Sequence, residues 1–354
     1  MTSYRIDLYS DTQTRPTPAM RAAMAAAEVG DDQHMDDPSV NRLCEMTAAL
    51  LGKEAAVFVP SGTMCNNLAA VVHCRPGDEI IADRRSHIVN TEAGAVAVLA
   101  GAMVRTLDGD DGVFTAEQLA AAIREPDRGA PVSRMVSIEQ TCNRGMGKIW
   151  PLETVAAVAQ TAKGHGLAVH MDGARLMNAA VASGVPAKDF AAHCDSTWID
   201  LSKGLGCPVG GVLVGSRDFI DKAWVWKQRL GGAMRQAGVI AAAGIYALEH
   251  NIERLADDHA NARAFAAAID GAPGIRLHSK KVDTNIVIFD VAGTGMTADA
   301  FETALCDRGI RIGAIVGPTS IRAVTHLDVD RAGVEEAAES VRALAEASDA
   351  RVAS

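Results

Sequence analysis

Short apolar runs rich in β-branched residues alternate along the chain with longer, alanine-rich stretches of helical period. That alternation predicts a sheet whose strands are joined by helices. Residues 55–59 predict a strand, which meets Pro60-Ser61-Gly62-Thr63 and then a helical run over 64–74. Residues 134–138 predict another strand. Residues 152–163 predict a helix that stops at Gly164, with Gly166 just beyond. The run 167–171 predicts a strand ending at Asp172, 196–201 a strand leading to Lys203, and 211–214 a further short strand. Residues 238–270 carry few breakers and read as one long helical segment, suited to lead from a large domain to a small one. After it, strands over 285–290 and 321–324 with helices over 297–308 and 330–347 predict a small α/β domain. The expected division is an N-terminal segment over 1–20 that contributes to the active site, a large domain over 21–251 and a small C-terminal domain over 252–354.

Composition narrows the function. The 354 residues are 48% hydrophobic and 22% charged, enough apolar matter for a buried core and too little charge for a disordered chain. The formal net charge of -10 repels nucleic acid and anionic membrane, so neither is an expected partner. The seven cysteines are odd in number and form no Cys-x-x-Cys pair. They read as reduced thiols, and the N-terminus lacks the apolar core of a signal peptide, so a cytoplasmic protein is expected.

Candidate chemistry gathers at predicted strand ends. Asp172 and Lys203 each follow an apolar run, and Gly204 and Gly206 follow the lysine. Open α/β sheets bind ligands outside the carboxyl ends of their strands, so both residues belong to one rim. A lysine amine and a carboxylate are what pyridoxal 5'-phosphate (PLP) requires, the first for covalent attachment and the second to keep its ring nitrogen protonated. The bland alternative is a helix-capping aspartate and a solvated lysine; the two together in this glycine context favour the cofactor. Ser61-Gly62-Thr63 opens a helix and suits an anion such as the cofactor phosphate, though an ordinary cap has the same look. His87, in Arg85-Ser86-His87-Ile88, can stack on a pyridine ring or stand as a surface histidine. Arg175 and Arg322 offer the bidentate fork that an amino-acid carboxylate needs, and Ser10 could add a hydroxyl.

Several motifs occur together in order: Ser10-Asp11-Thr12, Thr14-Arg15-Pro16, Val29-Gly30-Asp31-Asp32, Asp36-Asp37-Pro38 and Ser61-Gly62-Thr63-Met64. They continue with Asp172-Gly173-Ala174-Arg175, Leu201-Ser202-Lys203-Gly204-Leu205-Gly206, Met234-Arg235-Gln236-Ala237-Gly238 and Val324-Thr325-His326-Leu327. As an ordered set they resemble the low-specificity L-threonine aldolase family. The resemblance implies the fold-type I PLP-dependent (aspartate aminotransferase-like) architecture: a large α/β domain with a mixed, mostly parallel sheet, plus a small C-terminal α/β domain. It implies a homotetramer, a dimer of dimers with active sites shared between subunits, acting on a small β-hydroxy amino acid. It also implies roles. Lys203 resembles the Schiff-base lysine, Asp172 the ring-nitrogen partner and His87 the ring-stacking catalytic histidine. Gly62, Thr63 and Ser202 resemble phosphate contacts, and Arg235 an arginine reaching a phosphate across the dimer interface. Ser10, Arg175 and Arg322 resemble the substrate-carboxylate clamp. No metal ligand set is implied.

The chain departs from the family where the β-substituent is read. Glu139-Gln140-Thr141-Cys142-Asn143 carries Cys142 in place of a family histidine near the β-hydroxyl, and His34 replaces a site tyrosine. Both are expected among the substrate-binding residues, with the threo/erythro preference changed. The leading expectation is retro-aldol cleavage of L-threonine, L-allo-threonine or a related β-hydroxy-α-amino acid to glycine and an aldehyde. A PLP-dependent β-eliminating lyase or racemase shares everything but the base for the β-hydroxyl. An inactive PLP-binding relative is the third alternative, against which Lys203, Asp172 and both arginines stand.

Overall fold

In the computed structural model, which describes residues 4–314 and 317–352, the chain divides into two compact units. One runs from Pro16 to Ile252. The other joins the stretch up to Arg15 with everything from Glu253 onward.

The first unit is built on a seven-stranded sheet. Its strands are β1 (Ala55–Val59), β2 (Asp78–Asp83), β3 (Met103–Leu107), β4 (Val132–Glu139), β5 (Ala168–Asp172), β6 (Ser196–Asp200) and β7 (Gly211–Gly215). Their spatial order is β1-β7-β6-β5-β4-β2-β3. β7 is antiparallel to both its neighbours, and the remaining pairs are parallel. β2, β6 and β7 are buried at every position, and β7 accordingly reads as an unbroken apolar run rather than as alternation. Register decides what the rim presents: Glu139 pairs with Asp172 across β4 and β5, and His170 pairs with Ser196 across β5 and β6.

The helix Gly62–His73 leaves β1 with Ser61 as its cap, whose hydroxyl accepts from the Met64 N–H. Gly62 is needed for its missing side chain: a Cβ there would lie 2.1 Å from the Trp198 ring of β6. The helix Leu152–Gly164 precedes β5.

The long helical run over 238–270 is two helices, Gly238–His250 and Leu255–Ile269. The break holds neither glycine nor proline, so the residue pattern gave no sign of it. Its physical mark is Asn251, whose buried side-chain amide donates to the Leu205 carbonyl at 2.7 Å. The division between the two units falls in this break.

The second unit has a three-stranded antiparallel sheet, ordered Ser320–Val324, Ile286–Asp290, Arg276–Leu277, and a parallel pair of Ile6–Asp7 with Ile310–Arg311. Phe265, Phe289, Phe301, Ile310 and Ile321 are fully buried in its core. Each such side chain contributes roughly 1.5–3 kcal/mol by leaving water. Among the described residues no helix is long and apolar enough to cross a membrane.

Candidate active site

The carboxyl ends of β4 and β5 place Glu139 and Asp172 side by side, both buried. Asn66, on the helix that follows β1, donates through its one amide nitrogen to Asp172 Oδ2 at 2.8 Å and to Glu92 Oε1 at 2.6 Å. Glu92 Oε1 also lies 2.7 Å from Nδ1 of His87. The His87 backbone N–H donates to Glu139 Oε2 at 2.6 Å, and Asn143 N–H donates to the other oxygen of Glu139. Asp172 Oδ1 accepts from the Ala174 N–H at 3.0 Å. Ligand atoms of His87, Glu92 and Asp172 all lie within 4.8 Å of one another.

In the contacts just described, three carboxylates meet one imidazole. Burial, and after it the Asp172 charge, pushes the Glu139 carboxyl up to about 7, against the pull of the Asn143 and His87 N–H groups. Burial works against the charged form of His87. The Glu92 hydrogen bond and the charges of Asp172, Glu92 and Glu139 outweigh it and raise that pKa above the ordinary histidine value. Glu92 Oε2 is buried with no hydrogen-bond partner among the described residues.

Lys203 stands just past β6. Its Nζ lies 2.9 Å from Asp200 Oδ2 and 5.9 Å from the centre of the Trp198 ring. Ser202 is held by the same aspartate, donating from its backbone N–H and its hydroxyl to Asp200 Oδ1, each at 2.9 Å. Lys203 lines a small recess with Gly173, Arg175, Asn178 and Asp200. Arg175 is buried, and its backbone N–H donates to the Gln140 carbonyl. Gly62 and Thr63 sit half-buried at the start of a twelve-residue helix, where backbone N–H groups suit an anion.

Of the other expected site residues, His34, Cys142 and Arg235 belong to the first unit and Ser10 and Arg322 to the second. His34 and Arg235 are exposed and share Asp31: Arg235 donates to its Oδ2 at 2.7 Å, and His34 Nε2 is 3.9 Å from it. Cys142 is buried with its thiol committed, accepting from Trp150 Nε1 at 3.1 Å and donating to the Glu139 carbonyl. In the second unit, Ser10 accepts from the Thr12 N–H and hydroxyl, and Arg322 donates to the Tyr9 carbonyl at 3.1 Å.

Comparison with known proteins decides the family. The family model described as beta-eliminating lyase matches residues 7–292. The chain is 42% identical to low-specificity L-threonine aldolase 1 of Arabidopsis thaliana over 335 residues, 93% of each chain. It is 42% identical to the low specificity L-threonine aldolase of Escherichia coli K12 over 339 residues, 96% of this chain and 98% of that one. The chain belongs to the low-specificity L-threonine aldolase family. In fold it matches a solved threonine aldolase from Leishmania major with a TM-score of 0.82 at 20% identity, covering 96% of this chain and 99% of the other. It matches Sphingomonas wittichii serine palmitoyltransferase with a TM-score of 0.78 at 19% identity, covering 98% and 88%. The fold is that of the fold-type I PLP enzymes.

The residues present fit PLP. A protonated ring nitrogen would meet the excess carboxylate charge around Asp172, and the orphaned Glu92 oxygen belongs to the same cluster. Lys203 offers its amine on the rim where β5 and β6 end. Sequence reasoning did not single out Asn66, Glu92, Glu139 or Asp200. A signal existed for some of them: Asn66 breaks the apolar face of its helix, and Glu139 ends a strand whose last five positions are all buried.

Proposed function

We infer that this chain is a PLP-dependent aldehyde-lyase of the threonine aldolase type, cleaving L-threonine, L-allo-threonine or a related β-hydroxy-α-amino acid to glycine and an aldehyde. One observation carries the reading: a buried carboxylate cluster at the ends of β4 and β5, with Lys203 following the adjacent strand β6, in a chain 42% identical to low-specificity L-threonine aldolases over nearly its whole length. PLP, when bound, supplies the electron sink for the pair left on the substrate α-carbon as the Cα–Cβ bond breaks.

The residues divide the remaining work. Lys203, held by Asp200, would anchor the cofactor covalently, and Asp172 would hold the ring-nitrogen proton. Gly62, Thr63, Ser202 and Arg235 are proposed for its phosphate, and Arg175, Arg322 and Ser10 for the substrate carboxylate. His87 has Nδ1 engaged by Glu92, so Nε2 is the atom able to take the β-hydroxyl proton and return it. A homotetramer with shared sites is proposed, in which the exposed pair Arg235 and His34 would meet a neighbouring subunit. A cytoplasmic location is proposed on the seven free thiols.

The family model's description keeps β-elimination as a second reading. The decisive assay gives the PLP-loaded protein L-threonine, L-allo-threonine and phenylserine, and measures aldehyde and glycine in one arm and 2-oxo acid with ammonia in the other. Equimolar aldehyde and glycine are expected. Oxo acid and ammonia with no aldehyde would turn the assignment to β-elimination, and no product from any substrate would sink both.

A further inference from the structure

Asn66 is 1% exposed and makes four polar contacts, and their chemistry fixes its orientation. Its Nδ2 faces two carboxylates, Asp172 Oδ2 and Glu92 Oε1. Its Oδ1 accepts from the indole N–H of Trp198 at 2.8 Å, and an indole N–H can only donate. Rotating the amide by half a turn would set oxygen against two carboxylates and nitrogen against a donor. The fourth contact, His170 Nε2 at 3.0 Å from Oδ1, must therefore also be a donor.

The same logic runs back through β5 and β6. His170 is fully buried; burial, and after it the nearby His73, lowers its pKa to about 3, so the ring is neutral. With its proton on Nε2, Nδ1 accepts from the Ser196 hydroxyl, 2.9 Å away. The one hydroxyl proton being spent, Ser196 Oγ must accept from His73 Nε2, also at 2.9 Å. His73 is lowered to about 4 by burial and then by Lys222, against the pull of Asp195, and is neutral as well. Every proton in the line from His73 through Ser196 and His170 to Asn66 points towards Asp172, and bonds aligned in this way polarise one another.

We propose that Asn66 is a positioning residue that clamps the Asp172 and Glu92 carboxylates together, and that His73, Ser196, His170 and Trp198 lock it in that orientation from behind. The clamp ties the group assigned to the cofactor ring nitrogen to the group that holds the His87 ring. It rests on the reading of Asp172 as the ring-nitrogen partner.

The test compares Asn66→Asp, Asn66→Ala and Asp172→Asn with the parent. It measures PLP affinity by titrating the apoprotein, the pH midpoint of the bound cofactor's visible band, and kcat and KM separately. Among the described residues, the titratable groups that act on Asp172 and Glu92 include His87, Glu139 and the buried thiol of Cys65, and they are unchanged in the Asn66 variants. Asn66→Asp is expected to weaken PLP binding about tenfold or more, to move the band midpoint by about one pH unit, and to lower kcat more than it raises KM. Asn66→Ala removes both donors without adding charge, and decides the matter if Asn66→Asp does not fold. A residue that only packs would lower thermal stability and leave the midpoint and PLP affinity where they were; that result in Asn66→Ala overturns the proposal. If Asp172→Asn leaves both quantities unchanged, the ring-nitrogen assignment fails and the clamp fails with it. If Asp172→Asn moves them and the Asn66 variants do not, the clamp alone is wrong.

Discussion

Two sets of buried charges in the same unit invite comparison. Asp32 and Lys227 form a closed pair: Lys227 is 0% and Asp32 3% exposed, with Nζ 2.6 Å from Oδ2. The ammonium also sits 4.0 Å from the centre of the Trp224 ring. One charge answers one charge, and an aromatic face takes part of the rest. Around Asp172 the count is three carboxylates to one imidazole, with a Glu92 oxygen left unpartnered and Glu139 pushed up to about 7. The first arrangement is complete within the chain. On the function proposed above the second is completed by the bound cofactor, and a site that holds uncompensated charge for a ligand is less stable without it.

The closed pair should break at the larger cost. Lys227→Met leaves Asp32 buried and unpaired, and losing one partner of a buried ion pair costs about 3–5 kcal/mol. Chemical denaturation should show that loss while turnover per folded molecule stays near the parent value. Replacing both partners by apolar residues should recover much of the stability. Unchanged stability in Lys227→Met would mean that water reaches the pair and that it is not closed.

The open cluster should respond in the opposite way. Asp172→Asn removes one of three crowded carboxylates, so the apoprotein should melt no lower than the parent and can melt higher. Its turnover should fall on the order of 10²–10³-fold, the scale for losing one preorganised electrostatic partner. Aldehyde release and thermal melting on the same preparation check both halves. Near-parent turnover would show that a different group serves the ring nitrogen.

The pH dependence of stability offers a finer distinction. Glu139 is raised in the folded state, so its contribution is fully present below the unfolded carboxyl value of about 4.5 and is lost as pH rises through about 7. His87 is raised as well and acts in the same direction. The apoprotein should therefore lose stability between pH 5 and pH 8, with each unit of separation contributing about 1.4 kcal/mol at most. Glu139→Gln should flatten that slope. A variant whose melting temperature follows the parent across the whole range would show that Glu139 titrates normally.

These contrasts mark how far the residues could be read without the fold. Asp172 and Lys203 were legible because each ends an apolar run, and strand ends in α/β sheets face the ligand. The alternation of strands and helices was legible in the residue pattern, and the mostly parallel sheet followed from the family resemblance. Glu92 and Asn66 were not, because what makes them matter is register and helix placement: Asn66 meets Asp172 from 106 positions away in sequence. The break at 251–254 escaped notice because a side chain reaching Leu205, not a glycine or proline, marks it. Asp32 and Lys227, 195 positions apart, carried no sequence sign of pairing at all.

Cys142 should give the smallest effect. The family resemblance implies a histidine here, and a thiol open to the substrate would change the reading of the β-carbon. In the structure the thiol accepts from Trp150 and donates to the Glu139 carbonyl, and it is packed under Gly112 and Gly145. A Cβ on either glycine would come within 2.8 Å of Cys142 atoms, so the residue is tightly packed against them, while with Ser86, Glu139 and Trp150 it lines a small pocket. A serine hydroxyl is smaller than the thiol and can make both hydrogen bonds. Cys142→Ser should therefore leave the ratio of kcat/KM for L-threonine against L-allo-threonine within about twofold, under roughly 0.5 kcal/mol of differential transition-state binding. Cys142→His forces an imidazole into the same packing and should cost about 1–3 kcal/mol of stability, the scale for an overfilled core. A several-fold change in the substrate ratio in Cys142→Ser, with no loss of stability, would instead put this position against the β-carbon and make it part of the open site.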